Sequence, residues 1–147
     1  MNNFRVTTVQ DELDIPLVHR FLSEQSTWAR GISLDLVQRS IANSLCFGGF
    51  LRNEQVAFAR VISDYTTFAN LVDVFVLPEY RGQGFSKALM EAVFTHPQLQ
   101  GLRRFTLATG DAHGLYAQYG FTAPLYPTSL MERYFPGMYE KACKEEL

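Results

Sequence analysis

The chain has 147 residues, 47% hydrophobic and 19% charged, enough for one core that buries roughly 70% of the unfolded surface and too little to call for a second domain. A formal charge of −2 supplies no basic field for sequence-independent nucleic-acid binding, so nucleic acid is not an expected partner. No stretch approaches the ~20 apolar residues of a membrane span or has the layout of a signal peptide, and Cys46 and Cys143 lie in unrelated contexts that make neither a disulfide framework nor a zinc site. A cytoplasmic protein with no membrane partner is expected.

Phe4 to Val9 alternates and reads as a first strand, after which Asp11 can cap a helix carrying Leu13, Leu17, Val18, Phe21 and Leu22 on one face and ending before Ser26. The loop from Gln25 to Gly31 holds the only tryptophan, Trp28, and Arg30, and is a candidate substrate wall. Ser33 then caps a second helix with Leu34, Val37 and Ile41 inward. Ser44 to Leu51, Val56 to Ile62 and Phe68 to Leu77 are β-prone runs joined by polar turns, an antiparallel meander.

Phe85, Ala88, Leu89, Ala92 and Val93 recur at helical spacing until His96-Pro97, and Arg103 to Ala108 reads as a strand returning in parallel beside Phe68 to Leu77. This is a right-handed strand, helix, strand crossover. Thr109 or Asp111 can cap a short helix through Tyr119, closed by Gly120 in a left-handed conformation. Phe121 to Tyr126 is a candidate short strand, and the tail after Pro136-Gly137 reads as irregular, with a solvated charged end from Lys141 to Glu146.

Inside the crossover, Val74-Phe75-Val76-Leu77 breaks at Pro78 and turns through Gly82 and Gly84 into the helix. The first turn of a helix leaves backbone N–H groups unpaired and carries positive partial charge, and glycines let an anion approach the backbone closely. The turn therefore reads as a phosphate cradle. It lacks the Gly-Lys-Ser or Gly-Lys-Thr end of a P-loop, and Lys87 stands where the dinucleotide-binding pattern has its third glycine.

Arg81-Gly82-Gln83-Gly84-Phe85-Ser86 resembles motif A of the GNAT superfamily of acetyl-CoA-dependent N-acetyltransferases: Arg or Gln, two residues, Gly, one residue, then Gly or Ala. Ser86 is the one departure and is nearly as small. Ala112-His113-Gly114-Leu115-Tyr116-Ala117-Gln118-Tyr119-Gly120-Phe121 is similar to the family's motif B, and the element order matches from about Phe4 to Phe121. The resemblance implies an α/β fold with a mixed sheet, a meander followed by a βαβ unit, over a single domain 1–147. The motif-bearing core spans about 4–126 and the C-terminal tail about 135–147.

The resemblance further implies that the backbone of Gly82, Gln83, Gly84, Phe85, Ser86 and Lys87 binds the coenzyme A pyrophosphate, with Arg81 at the mouth. The backbone of Val74, Phe75 and Val76 then pairs with the pantetheine arm where two parallel strands splay, and the Val76 N–H polarises the thioester carbonyl. Tyr116 matches the general acid that protonates the leaving thiolate, a sensible pairing of a phenol of pKa ~10 with a thiol of ~8.5; the alternative is a core aromatic. Thr109 stands where the family often has an asparagine on the pantetheine, with helix capping as its other use.

A neutral amine has to be generated for attack, and Asp73, the lone charge of its strand run, is the candidate base. A structural ion pair with Arg60 or Arg103, or an exposed strand end, is the competing reading. Trp28 and Arg30 are candidate acceptor contacts. Cys46, as a covalent intermediate, competes with simple burial, and His19, His96 and His113 have no metal spacing, so no metal is expected.

The expected function is direct transfer of an acetyl group from acetyl-CoA to a primary amine of a small-molecule or peptide acceptor. The alternatives are a non-catalytic acyl-CoA-binding module and a transferase of longer acyl chains. The apolar stretch Phe135 to Tyr139 adds a candidate homodimer contact.

Overall fold

A computed structural model describes the backbone of residues 3–145 and the side chains of residues 3–141. Strands β1 (Phe4–Thr7), β2 (Leu45–Leu51), β3 (Glu54–Ser63), β4 (Phe68–Val76) and β5 (Arg104–Leu107) form one sheet in chain order. The first four pair antiparallel, and β5 joins β4 in parallel. Parallel pairing needs a crossover, which helix α3 (Phe85–Phe94) provides.

Alternation along the strands sends side chains to two cores. On one face Phe47, Ala57, Ala59, Val61 and Leu71 pack with Phe85, Leu89, Met90 and Val93 of α3 and with Tyr116 of α4 (His113–Ala117). On the other, Cys46, Phe58 and Phe75 pack with α1 (Ile15–Arg20), the π-helical turn Phe21–Gln25 that continues it, and α2 (Leu34–Ala42). The result is a mixed sheet between two helical layers, the α/β fold class read from the sequence.

The β3–β4 turn is closed by Asp64, whose carboxylate accepts from the N–H groups of Thr66, Thr67 and Phe68 at 2.8–3.1 Å. Those bonds hold the carboxyl well below its ordinary range.

Five expectations about the elements are corrected. The cap of α1 is Asp14, whose carboxylate accepts from the Leu17 N–H at 3.1 Å, whereas Asp11 lies in a separate 3-10 turn, Gln10–Glu12. Pro16 explains the difference, because proline fits the first helical turn, where its missing N–H is no loss. Leu34, expected inward, is exposed at the start of α2, while Val37 and Ile41 are buried. Ala88 likewise faces solvent on α3.

No strand forms from Phe121 to Tyr126. The Phe121 ring is drawn among Phe94 and Phe105 at 5.2 and 5.6 Å, and Pro124 has no N–H to donate to a ladder. The tail is helical over α5 (Met138–Glu145). Pro136 and Gly137 precede that helix instead of interrupting it, and Gly137 makes the entry turn at φ +72°. Cys143 and the charges beyond Lys141 lie outside the described side chains.

Packing links the first strand to the glycine turn. Gly49 of β2 leaves room for the Phe4 ring, which stacks on Phe85, the first residue of α3, with centroids 4.4 Å apart. A Cβ on Gly49 would come within 2.6 Å of Phe4 and 2.9 Å of Ala57. Gly49→Ala is therefore expected to lower the unfolding free energy by about 1–3 kcal/mol, read from urea denaturation, as overpacked cores do.

Candidate active site

The ladder between β4 and β5 runs from Phe68↔Arg104 to Leu71↔Leu107 and stops, while β4 continues to Val76. Residues 72–76 therefore present one edge without a neighbouring strand. Just there, two steps along β3, Phe58 to Arg60, match three along β4, Phe75 to Val72, so β4 carries a bulge at Asp73 and Val74. Asp73 adopts φ +53°, a left-handed conformation that aspartate tolerates better than most residues.

Strand alternation settles which backbone groups face the opening. The Leu77 N–H donates to the Val56 carbonyl at 2.9 Å, so Phe75 points its N–H at β3 and Val76 points its own away, into the open edge. On that outward side the Val76 carbonyl accepts from Arg81 Nε at 2.9 Å. Arg81 thus ties the glycine turn to the end of β4. The buried Phe75 ring stacks on Phe21 at 3.9 Å on the opposite face of the sheet from Val76.

Gly82 and Gly84 take φ +78° and +83°, and Gly84 is the left-handed N-cap of α3 with no side chain to cap it. None of the six N–H groups from Gly82 to Lys87 has an acceptor among the described residues. A Cβ at either glycine would meet nothing within 4 Å, so the turn borders open space rather than packed protein. Six unpaired donors, two of them on glycine, beside the positive end of a ten-residue helix suit an anion with several oxygens.

Tyr116 packs in the same cluster as Val76 and Phe85, with its ring 6.1 Å from Phe121. Its hydroxyl has no hydrogen-bond partner among the described residues, and since no buried polar side-chain atom there lacks one, that hydroxyl reaches solvent. Burial, with the Asp111 carboxylate adding to it, pushes the phenol above its ordinary value of 10.0. The group is therefore protonated at neutral pH. The Thr109 hydroxyl accepts from the N–H groups of Ala112 at 3.1 Å and Asp111 at 3.4 Å, which closes the turn before α4 and corrects the capping expectation, since the N-cap of that helix is Ala112 with no side-chain cap.

Asp73 is not a free carboxylate. Its Oδ2 accepts from Arg60 Nε at 2.9 Å and its Oδ1 from Trp28 Nε1 at 2.8 Å, with the ion pair largely buried. Arg60 Nη1 also donates to Ser44 Oγ at 3.0 Å. Both oxygens of the base candidate are thus engaged, one of them by a permanent cation. Of the pairings weighed from the sequence, the one with Arg60 is present.

This contact also brings the loop from Gln25 to Gly31 against the bulge. Arg30 donates to the Glu24 carbonyl at 3.1 Å and lies 3.7 Å from Glu140 of α5. A cavity of about 230 Å³ opens between that loop and the C-terminal segment, lined by Trp28, Arg30, Tyr134, Phe135 and Tyr139 among others. Cys46 is buried in β2 opposite Arg60 of β3, its thiol pushed up to about 12 by burial, an unfavourable setting for a nucleophile.

Tyr119 has a use that the sequence did not disclose. Its hydroxyl lies 3.4 Å from the Lys87 carbonyl and 3.3 Å from the Glu91 carboxylate, fastening α4 to the first turn of α3. The links from Trp28 and Ser44 to the Asp73–Arg60 pair were equally hidden, because each crosses from a separate segment of the chain. The single hint was an aspartate inside an otherwise apolar strand.

An unpaired strand edge, a glycine turn of unpaired donors and a buried tyrosine whose hydroxyl reaches solvent thus lie in one α/β sheet. The profile of the acetyltransferase (GNAT) domain matches residues 42–123. A GNAT-family protein of Xanthomonas campestris pv. campestris, classed as an acetyltransferase, is 68% identical in its crystal structure, with a TM-score of 0.92 over 95% of this chain and 98% of that one. A protein of Gibberella zeae, also classed as an acetyltransferase, is 28% identical over 138 aligned residues, 79% of this chain and 77% of that protein.

The fold is shared with a GNAT acetyltransferase of Elizabethkingia anophelis solved with acetyl-CoA bound, at 14% identity and a TM-score of 0.62 over 92% of this chain and 90% of that one. The chain belongs to the GNAT acetyltransferase family and is an acyltransferase. Among the described residues no helix is long and apolar enough to cross a membrane.

Asp73→Asn keeps the left-handed conformation and an acceptor oxygen but removes the charge opposite Arg60. Breaking a buried pair in this way is expected to cost about 3 kcal/mol of stability, measured by denaturant unfolding.

Proposed function

We propose that the chain moves the acetyl group of acetyl-CoA directly to a primary amine of a small-molecule or peptide acceptor. The observation that carries this reading is the run of six unpaired N–H groups from Gly82 to Lys87, set beside the unpaired edge of β4. Coenzyme A meets both with one molecule, since its pyrophosphate needs several donors and its pantetheine amides can pair with a strand edge. The coenzyme supplies a thioester already activated for acyl transfer.

In this reading the backbone of Gly82, Gln83, Gly84, Phe85, Ser86 and Lys87 holds the pyrophosphate, and Arg81, its Nε engaged by the Val76 carbonyl, offers its remaining N–H groups at the mouth. The outward backbone of Val74 and Val76 holds the pantetheine, with Phe75 keeping the strand in register through its ring. The Val76 N–H donates to the thioester oxygen, where negative charge grows as the amine attacks. Tyr116 donates its proton to the departing sulfur, a task that a phenol kept protonated by burial performs.

Asp73 acts here as a positioning residue, and water in the open cleft removes the amine proton. Trp28 and Arg30 line the acceptor side of the cleft, where the slight overall acidity suits a cationic amine. Thr109 serves the site by closing the turn that leads into α4, the helix that carries Tyr116. Buried Cys46 leaves transfer without an acetyl-enzyme, and residues 1–147 act as one domain working in the cytoplasm.

Tyr116→Phe is expected to bind acetyl-CoA as tightly as the wild type in calorimetry while kcat against an amine panel, read by thiol release, falls about 100-fold or more. Unchanged kcat would remove Tyr116 from the chemistry. Gly84→Ala has the opposite signature. It strains one residue by about 1 kcal/mol, touches no neighbouring side chain, and is expected to raise the Kd for acetyl-CoA at least tenfold in the same titration.

A further inference from the structure

Trp28, the single tryptophan of the chain, stays about half in water although its indole is fixed at two points. The Nε1–H donates to Asp73 Oδ1 at 2.8 Å, and the ring packs on Phe21 with centroids 6.5 Å apart. Phe21 stacks in turn on Phe75 of β4 at 3.9 Å, so a row of three rings leads from the α1–α2 loop to the strand that borders the opening. Asp73 itself lies in the open stretch 72–76, which places the Trp28 ring at the mouth of that edge. A ring held in this way has little rotamer freedom left to lose when something binds against it.

The C-terminal segment supplies the rest of the 230 Å³ cavity with three more aromatic side chains, Tyr134 and Phe135, both more than half exposed, and Tyr139 of α5. No ring contact joins any of these three to Trp28 or to one another among the described residues. The rings surround a gap instead of filling it. Its size lies between the ~150 Å³ of an apolar cavity that accepts benzene and the ~300 Å³ at which pockets for drug-sized molecules begin. The two charged residues of its wall, Arg30 and Glu140, stand 3.7 Å apart and offset each other, and Arg133 lies 5.7 Å from the Phe135 ring. A carboxylate inside would meet Glu140, and an ammonium would meet both arginines. An uncharged aromatic ring meets neither cost and gains a stacking surface.

We propose that this cavity holds the aromatic ring of an arylalkylamine and thereby selects the acceptor. This rests on the acetyl transfer to a primary amine proposed for the site. The ring enters among Trp28, Tyr134 and Phe135, and the alkyl chain carries the amine past the Trp28–Asp73 contact toward the edge of β4. There the neutral nitrogen bonds the acetyl carbon as the C–S bond breaks. One amine proton leaves to water, the thiolate takes the Tyr116 proton and water returns it, giving an N-arylalkyl acetamide and free coenzyme A. The specificity-determining residues are Tyr134 and Phe135, more than 100 positions from the loop whose tryptophan they face.

Because Trp28 is the only tryptophan, its fluorescence reads the cavity without any turnover. Titrating 2-phenylethylamine into the full chain with free coenzyme A is expected to change the emission, with half-saturation at least tenfold below that for hexylamine. With acetyl-CoA, kcat/KM for 2-phenylethylamine, read by thiol release, is expected to exceed the values for hexylamine and putrescine at least tenfold. Phe135→Ala is expected to raise KM at least tenfold for 2-phenylethylamine and less than twofold for hexylamine, a split that a merely structural role would not give. Equal kcat/KM for the three amines overturns the cavity assignment and leaves acetyl transfer standing, as does a preference that Phe135→Ala leaves intact. An emission change with no thiol released from any amine supports the cavity's ligand and overturns the transfer. Emission that 2-phenylethylamine leaves unchanged overturns the assignment. If Phe135→Ala does not fold, the wild-type emission and amine series decide.

Discussion

The parting of β4 from β5 after Leu71 is the constraint on which the rest of this structure depends. Two parallel strands that stay paired leave no backbone for a ligand, whereas here residues 72–76 keep an edge of outward N–H and C=O groups. The parting coincides with the bulge at Asp73, which adds a residue to β4 and turns its edge away from the β3 register. A left-handed aspartate in a strand is unfavourable by itself. It is held by Arg60 from β3 and by Trp28 from the α1–α2 loop, so one carboxylate both sets the bulge and brings the loop to the cleft.

The glycine turn depends on the same neighbourhood. Arg81 spans from the turn to the Val76 carbonyl, Phe85 begins α3 under the Phe4 ring, and Tyr119 fastens α4 to Lys87 and Glu91. Three contacts from three elements thus fix the donors of Gly82 to Lys87 without occupying any of them. The donors stay unpaired because a helix cannot satisfy its own first turn, and no other group among the described residues reaches them.

Much of this was legible in local pattern. Alternating apolar residues marked the meander, the Pro78 break and paired glycines marked the turn into α3, and Ser33 marked a cap that forms with the Leu36 N–H at 3.2 Å. Asp11 misled because it precedes a good helical run, yet Pro16 sets the start three residues later than an Asp11 cap would. The residues after Phe121 misled because β-prone composition cannot report whether a ladder partner exists. Trp28 and Asp73, 45 positions apart, could be listed as candidates but not paired, since no local pattern encodes a contact across that separation.

Local chemistry therefore determined the elements, the anion-binding character of the glycine turn and, through the two motifs, the family. These follow from hydrogen-bonding rules and side-chain shape within a few residues of each position. Tertiary structure decided that Asp73 is engaged rather than free and that Tyr116 keeps its ring buried and its hydroxyl reachable. Each of these depends on which distant groups share one small volume, and only the packed sheet brings them there.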